Sequence, residues 1–343
     1  MTAKQPRHET SVAAFDDLAL SVRESHSGRE DLAESSRTHV RSRPGIGFAG
    51  RHHGEILQGA WRAPSVHGPT EPVPCLVTMP VPEHGSRVQF VRGPGAALEV
   101  EPLWKVKAVR AARLTLDFLG ERRSGGRLTV DCPVPPGLGL GSSTSDVVAT
   151  IRAVCDAHGA PIEPRQLARL AVETERAIDP IMFDEGVLFA PRQGRVLEHW
   201  QGALPEFFVV SVDTDPQRGG IDTLSLAVPR YTAAELAEYD ELICRARRAF
   251  RARDAQAMAG VATRSAELNQ RYLPMRGFAD LLALAHHAGC LGLQISHSGT
   301  VAGFLFDSAA RDAVQDRLRP ALRALGMRCL GAFRAGVAHA AGV

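Results

Sequence analysis

Lysine is nearly absent from this chain. Of its 40 basic residues only Lys4, Lys105 and Lys107 are lysines. The arginines are spread along the chain, and no dense basic block is interleaved with aromatics. With a formal net charge of only +2, a nucleic-acid partner is not expected. No two of the six cysteines (Cys75, Cys132, Cys155, Cys244, Cys290, Cys329) are spaced as C-x-x-C, and none pairs with histidines at zinc-finger spacing. They read as reduced, mostly buried thiols of a cytoplasmic protein. The doublets His52-His53 and His286-His287 argue against a metal centre too, because adjacent side chains point apart. No hydrophobic run reaches the length of a membrane span. The polar, serine-rich stretch before Arg43 lacks the apolar core of a secretory signal.

What is present is an ordinary globular composition, 44% hydrophobic and 23% charged. At roughly 150 residues per domain, the length suggests two lobes. Residues 1–43 are expected to be a disordered tail, with a short helix around Val12 to Val22 as the alternative. Strands are expected at Glu55 to Trp61, Pro74 to Val81 and Ser86 to Val91, separated by Gly/Pro turns. A helix ending at Gly120 and a strand from Arg127 to Val134 follow. Helices begin after the glycine-rich stretch and at Pro164, and a hairpin turns at Gln193-Gly194. Phe207 to Asp213 reads as a buried strand. Three helices fill Ala233 to Ala288, two strands span Leu291 to Asp307, and a helix from Ala310 and a strand near Arg328 close the chain. Strands and helices mix without strict alternation, so the class is α+β rather than a doubly wound sheet.

The stretch "PVPPGLGLGSSTSDVV" places glycines and hydroxyls between a strand and a helix. The first N–H groups of a helix lack intrahelical partners and sit at its positive end, which suits an anion. Ser142, Ser143 and Thr144 are placed to cap the helix or to meet a phosphate or Mg²⁺. A Walker-type loop requires a lysine that is absent here. The dinucleotide fingerprint is half met: Gly137 and Gly139 fit, but Ser142 stands at the third glycine. A serine-capped turn with no ligand is the plain alternative.

The string from Pro135 to Thr144 closely resembles the P-x-G-x-G-L-G-S-S-A loop of the GHMP kinases, with Thr144 in place of alanine. "HHGEILQGAW" from His52 resembles that family's first motif, in a form similar to the L-threonine kinase branch, which feeds cobalamin side-chain synthesis. "SHSGTVAGFLFD" from Ser296 resembles its third motif. The three occur in the order the family requires.

The resemblance implies a two-lobed fold, a ribosomal S5 domain 2-like lobe at 44–203 and a ferredoxin-like lobe at 204–337. It implies ATP and Mg²⁺ as cofactors. Pro136, Gly137, Leu138, Gly139, Leu140, Gly141, Ser142, Ser143 and Thr144 would cradle the phosphates, with Lys105 or Lys107 touching the nucleotide. Ser143 and Glu175 would hold the metal, and Glu175 is otherwise an ordinary helix carboxylate, as is Glu173. Asp179 would be the base, with Asp184 as competitor. Glu55, Gln58, Ser298, Gly299 and Thr300 would meet the substrate, and Asn269 and Gln270 also lie near that end. The first-motif lysine of mevalonate-type kinases is missing. Arg51, His52 or His53 can supply its charge, or the role is absent.

The resemblance therefore implies a Mg-ATP-dependent kinase acting on a hydroxy amino acid, L-threonine first, with homoserine, serine or a specialised-pathway amino acid behind it. A nicotinamide oxidoreductase and a catalytically silent nucleotide-binding regulator are the readings from other classes. No membrane partner is expected, and a homodimer is compatible with the sequence but not required by it.

Overall fold

The computed structural model describes residues 43–64, 70–133, 137–217, 229–297, 299–311 and 313–336. The expected tail apart from Arg43, together with Pro136 and Ser298, lies outside them. Ten strands join one sheet in the order β10-β7-β9-β8-β1-β2-β4-β3, with β5 and β6 branching from β2. The strands are β1 (Gly45–Trp61), β2 (Val73–Gly93), β3 (Leu98–Glu101), β4 (Gly125–Asp131), β5 (Gly186–Ala190), β6 (Arg195–Trp200), β7 (Phe207–Asp213), β8 (Gly292–Ile295), β9 (Val301–Asp307) and β10 (Arg328–Ala335). The helices are α1 (Val106–Phe118), α2 (Ser142–Ala157), α3 (Pro164–Glu175), α4 (Ala233–Ala252), α5 (Ala255–Asn269), α6 (Phe278–His287) and α7 (Ala313–Ala324). The class is α+β and the fold two-lobed, as expected.

Three buried clusters fill the space between sheet and helices. On the N-terminal side the apolar stripe of α2 (Val147, Val148, Ile151, Val154) meets Leu116 of α1, Leu167 of α3 and Val88 of β2. In the middle, Ile56 and Leu57 of β1 pack on Tyr239 and Leu242 of α4 and on Met258 of α5. On the C-terminal side Leu293, Ile295 and Phe304 meet Leu281 of α6 and Leu318 and Leu322 of α7. Each fully buried Leu or Ile contributes about 1.5–3 kcal/mol relative to exposure.

The separate early strands expected from the sequence are in fact two long ones. Gly50, Gly54, Pro80 and Pro82 fall within β1 and β2 rather than in turns between short strands. The β1–β2 ladder absorbs them as register shifts after Gly50, His52 and Glu55. A bulge bends a strand and re-aims its side chains without ending it, and here it does so where the motif residues sit. Strand β3, parallel to β4, gives little sequence signal because only Val100 of its four residues is buried. None of the six cysteines is in a disulfide, but only Cys75 and Cys155 are buried and the other four are partly exposed. Among the described residues no helix is long and apolar enough to cross a membrane.

Candidate active site

The glycine stretch ends in an unblocked helix start. The residue preceding α2 is Gly141, in the left-handed region at φ 73°, and no side chain caps the helix. The capping expected of Ser142, Ser143 and Thr144 is therefore not made. Glycine is required twice over at position 141: the backbone angle favours it, and a Cβ would come within 2.2 Å of the His52 ring. The first N–H groups of α2 stay available to an anion.

The freed hydroxyls turn to the end of α3. Ser143 Oγ donates to Glu175 Oε1, and Thr144 Oγ1 donates to Glu175 Oε2 at 3.2 Å and to Asp179 Oδ2 at 3.4 Å. The threonine that replaces the family's alanine thus ties the two carboxylates together. Lys107 Nζ, from the first turn of α1, bridges Ser143 Oγ at 2.9 Å and Glu175 Oε1 at 2.7 Å. Lys105 is committed elsewhere: its ammonium is buried on Asp146 Oδ2 at 2.5 Å, and Ser86 Oγ holds the other oxygen of Asp146. Of the two lysines, only Lys107 faces the loop. Glu175 is buried whereas Glu173 is exposed.

The bulge of β1 sends its two histidines to opposite faces. Gly54, at φ 66°, has the Gln294 side chain where a Cβ would stand. His52 Nε2 donates to Asp179 Oδ2 at 2.9 Å. Burial alone would depress the imidazole, but Asp179 beside it outweighs that and raises it to about 9. Burial would in turn raise Asp179, and His52 with the Thr144 hydroxyl holds it below the usual carboxylate range. His53 faces the back of the strand, against Ser211 Oγ at 2.7 Å, Gln294 and the Phe333 ring. Burial, with the Arg51 and His52 charges nearby, pushes it down to about 3, so it is neutral. Of the three candidates for the missing lysine's charge, His52 is the one in contact with Asp179. Asp184 is exposed, and the charged group it acts on is Arg152 rather than a member of this cluster.

A charged relay, an open helix start and a hydroxyl–carboxylate pair all converge on this loop, and the family profiles fall on the same elements. The GHMP kinases N terminal domain matches residues 106–183, which hold α1, the loop, α2, α3 and Asp179. The GHMP kinases C terminal domain matches residues 246–324. The chain belongs to the GHMP kinases. Among proteins similar to this GHMP kinase is an L-threonine kinase of Citrobacter freundii, 27% identical over 192 residues, 54% of this chain and 64% of that one. The chain thus spans less than two thirds of the length of the curated L-threonine kinases it matches. The fold is similar to a homoserine kinase from Cytophaga hutchinsonii, with TM-score 0.61, 15% identity and coverage of 90% of this chain and 98% of that one. It is also similar to an L. major mevalonate kinase, with TM-score 0.56, 16% identity and coverage of 88% and 99%.

In this GHMP kinase the third-motif turn closes on the glycine loop. A Cβ on Gly299 would meet Leu138 O at 2.0 Å, so the two backbones touch. Thr300 does not present its hydroxyl to a ligand, because Oγ1 donates to buried Asp213 at 2.6 Å. Gln58 Oε1 is bonded to His297 Nδ1 at 2.7 Å, and its Nε2 is unpartnered. His297 lies within the third motif, with burial depressing its imidazole, but it carried no signal of its own in the sequence. Asn269 Nδ2 and Ser296 Oγ are likewise buried and unpartnered.

Proposed function

We propose that this chain is a Mg-ATP-dependent kinase that transfers the γ-phosphoryl group to the hydroxyl of a small amino acid, L-threonine before other hydroxy amino acids. The observation that carries this reading is the His52–Asp179 pair, seated against Gly141 at the open start of α2. It sets a carboxylate kept ionised by an imidazolium beside an anion cradle, which is what an alcohol needs in order to attack a phosphate.

Phosphoryl transfer is mostly positioning and charge stabilisation. The loop N–H groups and the Ser142 and Ser143 hydroxyls hold the phosphates. Leu103, Trp104 and Val106, exposed at the start of α1, offer an apolar surface for the base ring. Ser143 and Glu175 fit a hard divalent cation: both are oxygen donors, and the Lys107 ammonium bridges them as a cation would. When bound, Mg²⁺ would neutralise phosphate charge there. Asp179 accepts a hydrogen bond from the alcohol, orients its oxygen, and takes its proton as the O–P bond forms and the bond to the leaving β-phosphate oxygen breaks. A carboxylate held low is a weak base, which suits a loose transition state where the proton leaves late.

Threonine as acceptor rests on the similarity to L-threonine kinases and on the buried, unpartnered polar atoms of Glu55, Gln58, Asn269 and Ser296, which call for a small polar guest. The test is ATP turnover, read as ADP release and phosphorylated product, across L-threonine, L-serine, L-homoserine, mevalonate and galactose. Faster turnover of mevalonate or galactose than of every amino acid would overturn the reading.

A further inference from the structure

The site is one positive charge short. Glu55 is 1% exposed, and neither carboxyl oxygen has a hydrogen-bond partner. Thr78, its partner across the β1–β2 ladder, approaches without closing a bond. The charged groups that face Glu55 are His52 from its own strand, with Nδ1 3.7 Å from Oε1, and Asp179 from the segment after α3. No arginine or lysine among the described residues pairs with it. His52 is already committed to Asp179 through Nε2. Two carboxyls therefore share one imidazolium, and a buried carboxylate without a counter-ion is strongly unfavourable.

Resting on the kinase reading above, we propose that Glu55 is the receptor for the substrate's ammonium group, and that the site selects alcohols bearing an amine on the adjacent carbon. An ammonium offers three N–H donors and the missing charge, matching two unpartnered carboxyl oxygens. The spacing sets the reach. Oxygens of Glu55 and Asp179 and a nitrogen of His52 lie within 4.8 Å of one another. In a 2-amino alcohol the nitrogen and oxygen stand roughly 3–4 Å apart by bond geometry, so one molecule can place its hydroxyl on Asp179 and its ammonium on Glu55. A 3-amino alcohol such as homoserine holds the two groups farther apart and fits this pair less well. The unpartnered N–H donors of Gln58 and of Asn269, one helical turn beyond Ser265 on the face of α5 that bonds Gln58, remain for the carboxylate.

Burial raises Glu55 to about 8, His52 opposing and Asp179 adding, so the empty site holds a proton there. An arriving ammonium replaces that proton. Calorimetric titration of the wild-type protein with L-threonine at pH 7, in buffers of different ionisation heat, should show about one proton released. Zero release overturns the proposal. In kinetics, Glu55→Gln should raise KM for L-threonine roughly 10²-fold. It should leave KM for 3-hydroxybutyrate, which lacks the amine, within about threefold, and KM for ATP unchanged. L-homoserine should have the higher KM in the wild type and lose less on substitution. An equal rise for the amine and the amine-free alcohol, or recovery of Glu55→Gln by excess Mn²⁺, overturns the ammonium role. If the wild type phosphorylates only amine-free alcohols, the hydroxy-amino-acid reading falls with it. If amino alcohols react but Glu55→Gln leaves their preference intact, only this proposal falls.

Discussion

His52 and His53 are neighbours in the chain, equally buried, and pushed in opposite directions. One is raised to about 9 and the other lowered to about 3. Burial acts on both in the same sense, disfavouring charge. The difference is what each ring meets. His52 looks toward the loop and finds the Asp179 carboxylate, whereas His53 looks into the back of the sheet and finds a hydroxyl, an amide and an aromatic ring. The front face of β1 thus carries charge for chemistry, and the back face a neutral hydrogen-bonded network that holds β1 to β7 and β8.

The largest expected effect comes from removing the front-face carboxylate. Asp179→Asn should lower kcat by about 10²–10⁴, the usual range for general acid–base work, while ATP affinity stays put. Near-normal turnover would mean the site works by positioning alone. Breaking the pair from the other side is expected to show in the pH profile. His52→Gln should raise the acidic limb of kcat/KM by about 1–3 pH units, because Asp179 loses its imidazolium. In the wild type, activity should fall as pH rises through about 9, where His52 loses its proton. His52→Lys should move that alkaline limb upward, and an unmoved limb would assign it to another group.

Stability follows with the same signs. His52 is raised, so its contribution is complete below its ordinary 6.5 and lost as pH climbs through about 9. Asp179 is lowered, so its share is present above its ordinary 3.8 and lost as pH falls below that. His53 behaves oppositely to His52. Its folded value lies below the ordinary one, so its contribution is whole above 6.5 and drains away as pH falls toward 3. His53→Gln should therefore cost about 1–3 kcal/mol in denaturant unfolding at pH 7, through the disrupted bond to Ser211. It should also flatten the acid loss and leave kcat within about twofold; a large kcat drop would place the back face in the chemistry. The smallest effect is expected at Asp184→Asn. Exposed and outside the cluster, it should change stability by less than about 0.5 kcal/mol and turnover by less than about twofold. Loss of activity there would transfer the base role from Asp179.

Much of this was legible before any coordinates. The α2 stripe of Val147, Val148, Ile151 and Val154, the hairpin at Gly194 and the strand Phe207 to Asp213 followed from period and turn chemistry. Less legible was anything that depends on partners far along the chain. β1 and β2 read as three short strands because Gly and Pro punctuate turns and bulges alike. Lys105 and Lys107 look interchangeable in "WKVK", yet one is buried on Asp146 and the other lies on Ser143 and Glu175. Thr144 reads in the sequence only as a replacement for alanine, and in the structure it links Glu175 to Asp179.

By itself, the sequence determined the family, the fold class and the place of the loop, because three motifs in order and a strand–glycine–helix pattern are local properties of the chain. Only the tertiary structure decided which of Arg51, His52 and His53 stands on Asp179, and that Glu55 is left without a counter-ion. Those answers depend on where a bulge in β1 aims side chains toward residues more than a hundred positions away. Charge is priced by what surrounds it in space, and no spacing along the chain records that.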